Sequence, residues 1–480
     1  MSNRPVVVGL GTIQQKGNYN QLDEALILMD KAFKKAIVDC TNSDITKYIN
    51  EVRVPKGFWK YRDPGKWVAE NNNIKSVKTT VTKVGILQQN LINTACNKIQ
   101  NGEIKASLIL GGESRYKILR SSIENREYIE TPLNINPDTY EKSLEKLQLD
   151  IEEKELGSMA VGYYAILESA FRSMLKNNHD DHNNYLSEIY SGYSEIAASN
   201  GDAWIEQPLD KKDIKTESKK NLRQAFPYNK YHCTSWNVNQ ACAIIICSED
   251  IADKLNISLD KRVFPLASSE NNHMMPTLQR PNLIKPAGMY LAANFILDIC
   301  NKNKLTPNLY DLYSCFPVAV QMFAKSLKLN GIKDKTITGG MPFAGGPLNS
   351  YVLHSTAKLI EKLRENNGVG IVTGVSGMMT KQSYALWSKN PWIDFRYEDC
   401  TKKAIEIELP VKLSDQKKGS GKIIGYTILK KDSINKAIIF IDTDEKKRKL
   451  ITSFNENIIN DMQNTEWVGK RVCFRDDQLV

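Results

Sequence analysis

The amino-acid sequence predicts an α/β fold that is followed by a small all-β barrel at the C-terminal end. Strand and helix patterns alternate over residues 6–110 and again over 239–375, which is the arrangement that builds sheets covered by helices. From about residue 400, several short strand patterns follow one another instead. With 480 residues, of which 41% are apolar, the chain is long enough for about three domains and a large core.

The first α/β part contains strands rich in β-branched residues and helices with apolar residues on one side. Gly102 stands where a glycine commonly ends a helix. The predicted elements are a strand at 6–10, a helix at 22–37, strands at 50–56 and 76–84, a helix at 87–101 and a strand at 107–110.

Residues 115–238 interrupt this alternation with a long, polar and mixed segment. It contains predicted helices at 158–175 and near 184–198, and His179 and His182 fall in the polar run NNHDDHNN, which favours a solvated loop. The segment 211–230 carries seven basic and two acidic residues. It is either a solvated, lysine-rich loop or a basic surface for a phosphorylated ligand.

The α/β alternation resumes with the apolar run NQACAIIICS and continues to about residue 375. The predicted elements are a strand at 239–248, a helix at 286–301, a strand at 308–315, helices at 317–328 and 351–365, and a strand at 369–375. Where a strand is followed directly by a helix, a ligand site is expected at the end of the strand. The free N–H groups and the dipole of the helix favour anions there.

The last 75 residues predict a barrel of five short strands and one helix. Ile405, Ile407, Leu409, Val411 and Leu413 alternate with polar residues and proline, which predicts the first strand. The other predicted elements are strands at 423–430, 436–442 and 448–453, a helix at 455–463 and a strand at 467–474.

Charge and cysteine usage exclude several classes of protein. The formal net charge of +10 is spread over the whole chain, so it indicates anionic partners in general rather than nucleic acid in particular. Nine cysteines without a CxxC pair argue against a disulfide scaffold and a zinc site, and the five histidines show no metal-ligand spacing. The sequence therefore predicts a cytoplasmic protein without a bound metal or a membrane span.

Three glycine-bearing junctions between a strand and a helix carry the functional signal. They are VTKVGILQQN at 81–90, TGGMPFAGGPLNS at 338–350 and IVTGVSGMMTK at 371–381. None of them fits a dinucleotide-binding fingerprint or a P-loop, and each alone is a weak indication.

In this order and spacing, the motifs resemble the thiolase superfamily, most closely its type 1 thiolase-like proteins, which are similar to acetyl-CoA acetyltransferases and carry an additional C-terminal domain. The resemblance covers nearly the whole chain. Its marks are WKYRDPGKWVAE at 59–70, FPYNKYHCTSWNVNQACA at 226–243, RVFPLASSENNHM at 262–274, DLYSCFPVAVQ at 311–321, the glycine loop at 339–347 and GYTILKK…EWVGKRV near the end.

The resemblance implies a thiolase fold with three parts. Residues 1–265 would form an N-terminal half with a CoA-facing loop domain inserted at about 115–238, and residues 266–399 would form a similar βαβ half. The two halves would stack as a five-layered α/β sandwich, and residues 400–480 would form an OB-like barrel. The resemblance leaves open whether the chain forms a homo-oligomer.

The resemblance also implies four catalytic positions, and the usual residues are missing at all of them. The nucleophilic cysteine position is occupied by Gly85, and the oxyanion-loop position by Tyr313. The histidine position is occupied by Gly346, and the position of the second cysteine by Gly374. The chain therefore lacks the residues with which the family transfers acyl groups. The glycines at these positions still offer backbone N–H groups and room for a ligand.

Other side chains could take part. Cys315 is the best remaining nucleophile, although a packed core thiol is the simpler interpretation, and His354 could orient a base or cover the core. Tyr313 and Ser376 could donate hydroxyls to a carbonyl group. The candidate residues for binding CoA are Lys219, Lys220, Arg223 and Ser376.

Two functions follow from these observations. The first is an acyl-CoA or CoA-binding protein of the acyltransferase family, with a role in lipid or acyl-CoA metabolism and coenzyme A as its ligand. The alternative is a non-catalytic adaptor whose barrel binds a protein or single-stranded nucleic acid. The basic run at 446–449 supports the alternative, but nucleic acid is the less favoured partner, because the barrel aromatics fall at core positions.

Overall fold

A computed structural model describes residues 2–143, 145–431 and 434–480. The N-terminal part has the predicted alternation of strands and helices. Gly102 follows the last turn of the second long helix with a φ of +76°, which confirms its predicted position. The elements are β1 (Pro5–Gln14), α1 (Ala25–Cys40), β2 (Ile49–Pro55), α2 (Pro64–Asn71), β3 (Lys78–Thr82), α3 (Gln88–Gln100) and β4 (Ala106–Ser114).

The inserted segment is mainly helical. Its elements are α4 (Arg115–Ile123), β5 (Thr139–Glu141), α5 (Asp150–Leu156), α6 (Ala160–Leu175), α7 (His179–Ala198), α8 (Lys211–Lys215), β6 (Arg223–Ala225) and β7 (Tyr228–Asn229). The prediction of a solvated loop at His179 and His182 is wrong, because both residues lie in the first turns of α7. Asn178 caps this helix by accepting the Asp181 N–H at 2.9 Å, so the polar run starts a helix.

The second α/β part follows the predicted order of elements. Its elements are β8 (Asn239–Ser248), α9 (Glu249–Lys254), β9 (Phe264–Asn271), α10 (Ala287–Lys302), β10 (Leu309–Asp311), α11 (Pro317–Ser326), α12 (Met341–Ala344), α13 (Tyr351–Glu365), β11 (Val369–Ser376), β12 (Lys381–Ser388), β13 (Arg396–Asp399) and α14 (Thr401–Ile407). The strand predicted at 308–315 is shorter than expected, and Cys315 lies beyond its end.

Two mixed sheets enclose a pair of helices. The strand orders are β1-β8-β4-β2-β3-β5 and β10-β11-β12-β9-β13. Helices α3 and α13 share one apolar cluster with residues from both sheets, such as Val7 and Val372. Because neighbouring residues of a strand face opposite sides, Val6 and Ile371 point away from this layer, and α1 and α10 cover those two outer faces.

The C-terminal region forms a closed barrel with the strand order β14-β15-β16-β18-β17. Its elements are β14 (Lys418–Lys431), β15 (Ile434–Thr443), β16 (Arg448–Ser453), α15 (Glu456–Asn464), β17 (Arg471–Arg475) and β18 (Gln478–Leu479). Four of the five predicted strands and the helix are observed, the fifth strand of the barrel is the unpredicted β18, and the closed form is consistent with an OB-like domain.

The strand predicted at 405–413 is wrong. Residues 401–407 form α14, in which the Ala404 N–H donates to the Cys400 carbonyl oxygen at 2.9 Å. Ile405 and Ile407 are exposed, so the alternating apolar residues do not form the buried face of a strand. The segment is instead held by Glu408, whose carboxylate accepts the N–H of Ala287 at the start of α10 at 3.0 Å.

The barrel packs directly on the rest of the molecule. Its strand β14 runs beside α6, where the Tyr426 N–H donates to Ser169 Oγ at 2.8 Å. Side chains on one face of β15 and β16, including Phe440 and Leu450, belong to the large core, whereas Ile439 and Ile451 fill the inside of the barrel. The barrel thus has two apolar faces, one of which is covered by the α/β body.

Candidate functional site

The glycine-bearing junctions come together at the N-termini of α3 and α13. The Gln88 side-chain oxygen in α3 accepts the Val352 N–H of α13 at 2.7 Å, and the Gln88 side chain also hydrogen-bonds the Tyr313 hydroxyl. The Tyr313 N–H donates to Thr373 Oγ1 on β11 at 2.8 Å. The starts of α3 and α13 therefore lie together, and the segment after β10 lies beside β11.

The turn at Gly85 is closed by a lysine. Lys381 Nζ donates to the Gly85 carbonyl oxygen at 3.1 Å and to Ser143 Oγ at 3.0 Å, and it pairs with Glu145 at 3.1 Å. Gly85 has a φ of +107°, and a Cβ built there would lie 3.1 Å from Ser143 Cβ. A side chain at this position would be strained in its backbone and in contact with Ser143.

The other two glycines are closely packed as well. A Cβ on Gly346 would lie 2.2 Å from Thr234 Cγ2, and a Cβ on Gly374 would lie 2.6 Å from Ser383 Oγ. Both distances are shorter than an ordinary carbon contact, so a larger residue would have to move its neighbours. The room expected at these glycines is occupied by Thr234 and Ser383.

Cys315 is a buried thiol beside Tyr164. Burial raises the pKa of Cys315 to about 12, and the hydrogen bond with Tyr164 only partly opposes this shift. Because the thiolate is the nucleophile, a thiol that stays protonated at neutral pH is poorly reactive. Tyr313 lies nearby, and burial also raises the pKa of its phenol, so its hydroxyl stays neutral.

His354 belongs to a different cluster. Together with Asp202 and Gln240 it lines a cavity of about 20 Å³ beside β1 and β8. Burial lowers the pKa of His354 to about 4, so the ring is neutral near pH 7. Within the part of the chain that the structure describes, no hydrogen bond joins it to Tyr313 or Cys315.

The four candidate CoA-binding residues divide between two places. Lys219 and Lys220 are exposed in the turn before β6, and Arg223 at the start of β6 lines a cavity of about 480 Å³ at the boundary with the barrel. Ser376, at the end of β11, pairs in register with Lys381 and so belongs to the glycine-bearing junctions.

A buried hydrogen-bond network, missed in the sequence, connects these two places. Glu168 on α6 accepts hydrogen bonds from His182 Nε2 at 2.7 Å, Gln321 Nε2 at 2.8 Å and the Tyr228 hydroxyl at 2.5 Å. Burial alone would raise the pKa of Glu168, but these hydrogen bonds, led by that of His182, lower it. The Tyr228 ring stacks on Phe316, next to Cys315, with 5.7 Å between centroids.

The basic run of the barrel is largely paired with carboxylates. Arg448 pairs with Asp442 at 2.7 Å and Lys449 with Asp477 at 2.5 Å, and both basic side chains are buried. These pairs take two of the four basic residues of the run out of reach of a nucleic-acid backbone, which weighs against the nucleic-acid alternative.

The part of the chain that the structure describes contains neither a cluster of metal-ligating side chains nor a membrane-spanning helix. Among residues 2–143, 145–431 and 434–480, no three His, Cys, Asp or Glu side chains form a group that could hold a metal ion. In the same residues, no helix is both long and apolar enough to cross a membrane.

Comparison with solved structures identifies the fold. No family model and no curated protein matches the sequence. A monomeric SCP2-thiolase-like protein type 1 from Mycobacterium smegmatis is 21% identical over 100% of this chain and 99% of its own, with a TM-score of 0.83. The chain has a thiolase-like fold. The resemblance to type 1 thiolase-like proteins is thus confirmed in structure.

Two further thiolase-fold structures match over a smaller share of this chain. A thiolase from Ascaris suum in complex with coenzyme A is 15% identical over 81% of this chain and 100% of its own, with a TM-score of 0.55. The acetyl-CoA acetyltransferase from Syntrophomonas wolfei is 13% identical over the same shares, with a TM-score of 0.55. The thiolase-like fold therefore includes the α/β body of this chain.

Proposed function

We propose that this thiolase-fold protein binds coenzyme A or an acyl-CoA and does not use the cysteine and histidine chemistry of thiolases. The observation that carries the catalytic part of the proposal is the contact of Lys381 with the Gly85 carbonyl oxygen in the turn that would hold the nucleophile. The thiolase-like fold supports the ligand, since a thiolase with this fold was solved in complex with coenzyme A. Roles in acyl-CoA or lipid metabolism, in the cytoplasm, follow as further proposals.

The side chains near the glycine-bearing junctions do not support covalent catalysis. Gly85, Gly346 and Gly374 supply no nucleophile or proton carrier, and the buried Cys315 keeps its proton at neutral pH because of its raised pKa. Tyr313 and Ser376 supply hydroxyl groups that can hydrogen-bond a carbonyl or amide group of an acyl-CoA.

The basic residues of the insertion support recognition of the CoA phosphates. Lys219 and Lys220 are exposed, and no carboxylate among the described residues lies within ion-pair distance of either. Unpaired ammonium groups attract phosphate through Coulomb interactions that salt screens. We further propose the residue boundaries 1–265, 266–399 and 400–480 for the three parts.

Calorimetric titration of the full chain with CoA and acetyl-CoA tests the proposal. We expect saturable binding that the double variant Lys219→Gln/Lys220→Gln weakens by about three- to tenfold, because two exposed charge contacts are lost. The double variant Lys302→Gln/Lys304→Gln, which removes two exposed lysines at the end of α10, is the matched control. Absence of CoA binding by the unmodified chain would overturn the ligand assignment.

A thiolysis assay with acetoacetyl-CoA tests the catalytic part of the proposal. We expect no turnover above the uncatalysed rate, because no described thiol near the junctions is poised as a thiolate. Turnover that is lost in Cys315→Ala would overturn this part and identify Cys315 as the nucleophile.

A further inference from the structure

The cavity of about 480 Å³ lies between the insertion and the barrel, away from the glycine-bearing junctions. Arg223 and Phe226 line it from the β6–β7 hairpin, His182 lines it from α7, and Gln463 and Asn464 line it from α15 of the barrel. Its volume is in the range of small-molecule sites, and guanidinium, imidazole and amide groups all face it.

Arg223 supplies an uncompensated positive charge to this cavity. Its Nε donates to Asn229 Oδ1 at 2.8 Å, and no carboxylate among the described residues lies within ion-pair distance of the guanidinium. Burial lowers the pKa of Arg223, although the group stays charged at neutral pH. Arg172 also lines the cavity but is neutralised by Glu466 at 3.0 Å. Asp180, the acidic lining residue, pairs with Lys215 at 3.2 Å.

His182 adds a buried polar atom without a partner. The side chain is only 1% exposed, its Nε2 is bound to Glu168, and its Nδ1 has no hydrogen-bond partner among the described residues. An unpaired buried nitrogen costs free energy unless a ligand or water satisfies it. With the Nε2–H donated to Glu168, Nδ1 of the neutral ring is an acceptor, and its burial keeps it off the surface of the cavity.

The N-terminus of α7 lies at the same cavity. This helix has 20 residues, and its first residues, His179 and Asp180, line the cavity. Backbone N–H groups in the first turn have no acceptor within a helix, and the helix dipole favours negative charge beside them. The helix terminus, the Arg223 guanidinium and the His182 ring therefore converge on one space.

We propose that this cavity binds a phosphate group, either of a free phosphate compound or of a larger phosphate ester, and that the ligand bridges the insertion and the barrel. Arg223 supplies the charge that pairs with the phosphate oxygens, in the geometry that guanidinium groups favour. Gln463 and Asn464 contact the ligand from the barrel side. The inference does not rest on CoA binding, since inorganic phosphate compounds would occupy the same cavity.

Calorimetric titrations of the full chain with inorganic phosphate, pyrophosphate, CoA and dephospho-CoA, in a phosphate-free buffer, test the inference. We expect pyrophosphate to bind with a Kd below about 1 mM. Arg223→Gln should weaken pyrophosphate binding at least tenfold, whereas Arg126→Gln, the same change at an exposed arginine outside the cavity, should alter it less than twofold. Circular dichroism should confirm that both variants keep the wild-type fold.

The outcomes separate this inference from CoA binding. Pyrophosphate binding that depends on Arg223 supports the cavity whether or not CoA binds, and CoA binding tighter than dephospho-CoA would identify the 3′-phosphate as the occupant. No pyrophosphate binding, or equal losses in Arg223→Gln and Arg126→Gln, would overturn the inference. If Arg223→Gln does not fold, Arg223→Lys replaces it. Unchanged pyrophosphate affinity in the lysine variant would contradict bidentate recognition of the phosphate by the guanidinium group.

Discussion

Burial decides which cysteine thiols can react. Cys315 is buried and its pKa is raised to about 12, whereas Cys473 is exposed on the barrel. A raised thiol pKa means that the folded state favours the protonated form. This contribution to stability is present below the ordinary pKa of 9.0 and is lost as the pH rises through about 12.

Ellman's reagent at pH 8 should therefore label Cys473 first. We expect a fast phase of about one thiol per chain that disappears in Cys473→Ser and stays in Cys315→Ser, because thiolate fraction and access control the rate. Labelling of the remaining thiols should require unfolding. A fast phase that is lost in Cys315→Ser would show that the junction thiol is reactive.

Asp311, the last residue of β10, fixes the loop between α11 and α12 that carries the glycines at 339–340. Its carboxylate accepts hydrogen bonds from Thr338 Oγ1, the Tyr351 hydroxyl and Ser355 Oγ, each at 2.9 Å, and from backbone N–H groups at 337 and 338 at 3.1 Å. The side chain is fully buried, so its lone pairs have no access to water.

Replacing Asp311 by Asn should destabilise the fold by about 2–4 kcal/mol. The amide NH₂ group would replace one carboxylate oxygen, and it cannot accept the hydrogen bonds that this oxygen accepts. Urea denaturation of the variant measures the change in the free energy of unfolding. Asp298→Asn, at an exposed position on α10, is the matched control and should stay within about 0.5 kcal/mol of wild type.

At the scale of elements, hydrophobic periodicity predicts the bounds of those helices and strands whose buried residues recur with the period of a helix or of a strand. The helix predicted at 351–365 is observed at Tyr351–Glu365, and the strand predicted at 239–248 is observed at Asn239–Ser248. The run at 405–413 fails because its apolar residues face solvent, and the contact of Glu408 with α10 is tertiary. Local alternation cannot report such a contact.

The candidate site was predictable in outline but not in its contacts. Glycine-bearing junctions indicate where strands end and helices begin, but the junctions after β3 and β11 belong to different sheets, whose contact the sequence does not report. The groups that fill the candidate site, such as Lys381 at Gly85, come from distant parts of the chain. His182 and Glu168 belong to different helices, and only the cap at Asn178 signalled that His182 lies on a helix.

One ion pair joins α6 to the barrel. Arg172 donates to Glu466 at 3.0 Å and to the Tyr426 hydroxyl at 2.9 Å, and its side chain is 1% exposed. Arg172→Ala should lower the free energy of unfolding by about 2–4 kcal/mol, because the packing of a buried side chain and its hydrogen bonds to Glu466 and Tyr426 are lost.

Thermal and urea unfolding measure the effect of Arg172→Ala. Arg471→Ala removes an exposed pair with Asp444 in the same barrel and should cost less than about 1 kcal/mol. Equal effects of the two variants would contradict the assigned role of Arg172 in docking the barrel.

At the scale of the whole molecule, the barrel depends on the body that it covers. Phe440 and Leu450 are buried against the α/β body, and Arg448 donates to the Leu278 and Arg280 carbonyl oxygens at 3.0 Å. An isolated fragment of residues 400–480 would expose these apolar side chains to water.

We therefore expect the fragment of residues 400–480 to bind a hydrophobic dye and to unfold without a cooperative transition. Under the same conditions, the full chain should not bind the dye and should unfold cooperatively. Dye fluorescence and thermal circular dichroism measure both properties. Cooperative unfolding of the isolated fragment would show that the barrel folds independently, as an adaptor module would.

We propose that this thiolase-fold protein binds an acyl-CoA without becoming acylated. Intact-mass spectrometry after incubation with acetyl-CoA, at a concentration that saturates the calorimetric titration, tests it most directly. We expect an unchanged protein mass, because Gly85 offers no nucleophile and Cys315 stays protonated. A mass increase of one acetyl group that is absent in Cys315→Ser would contradict it.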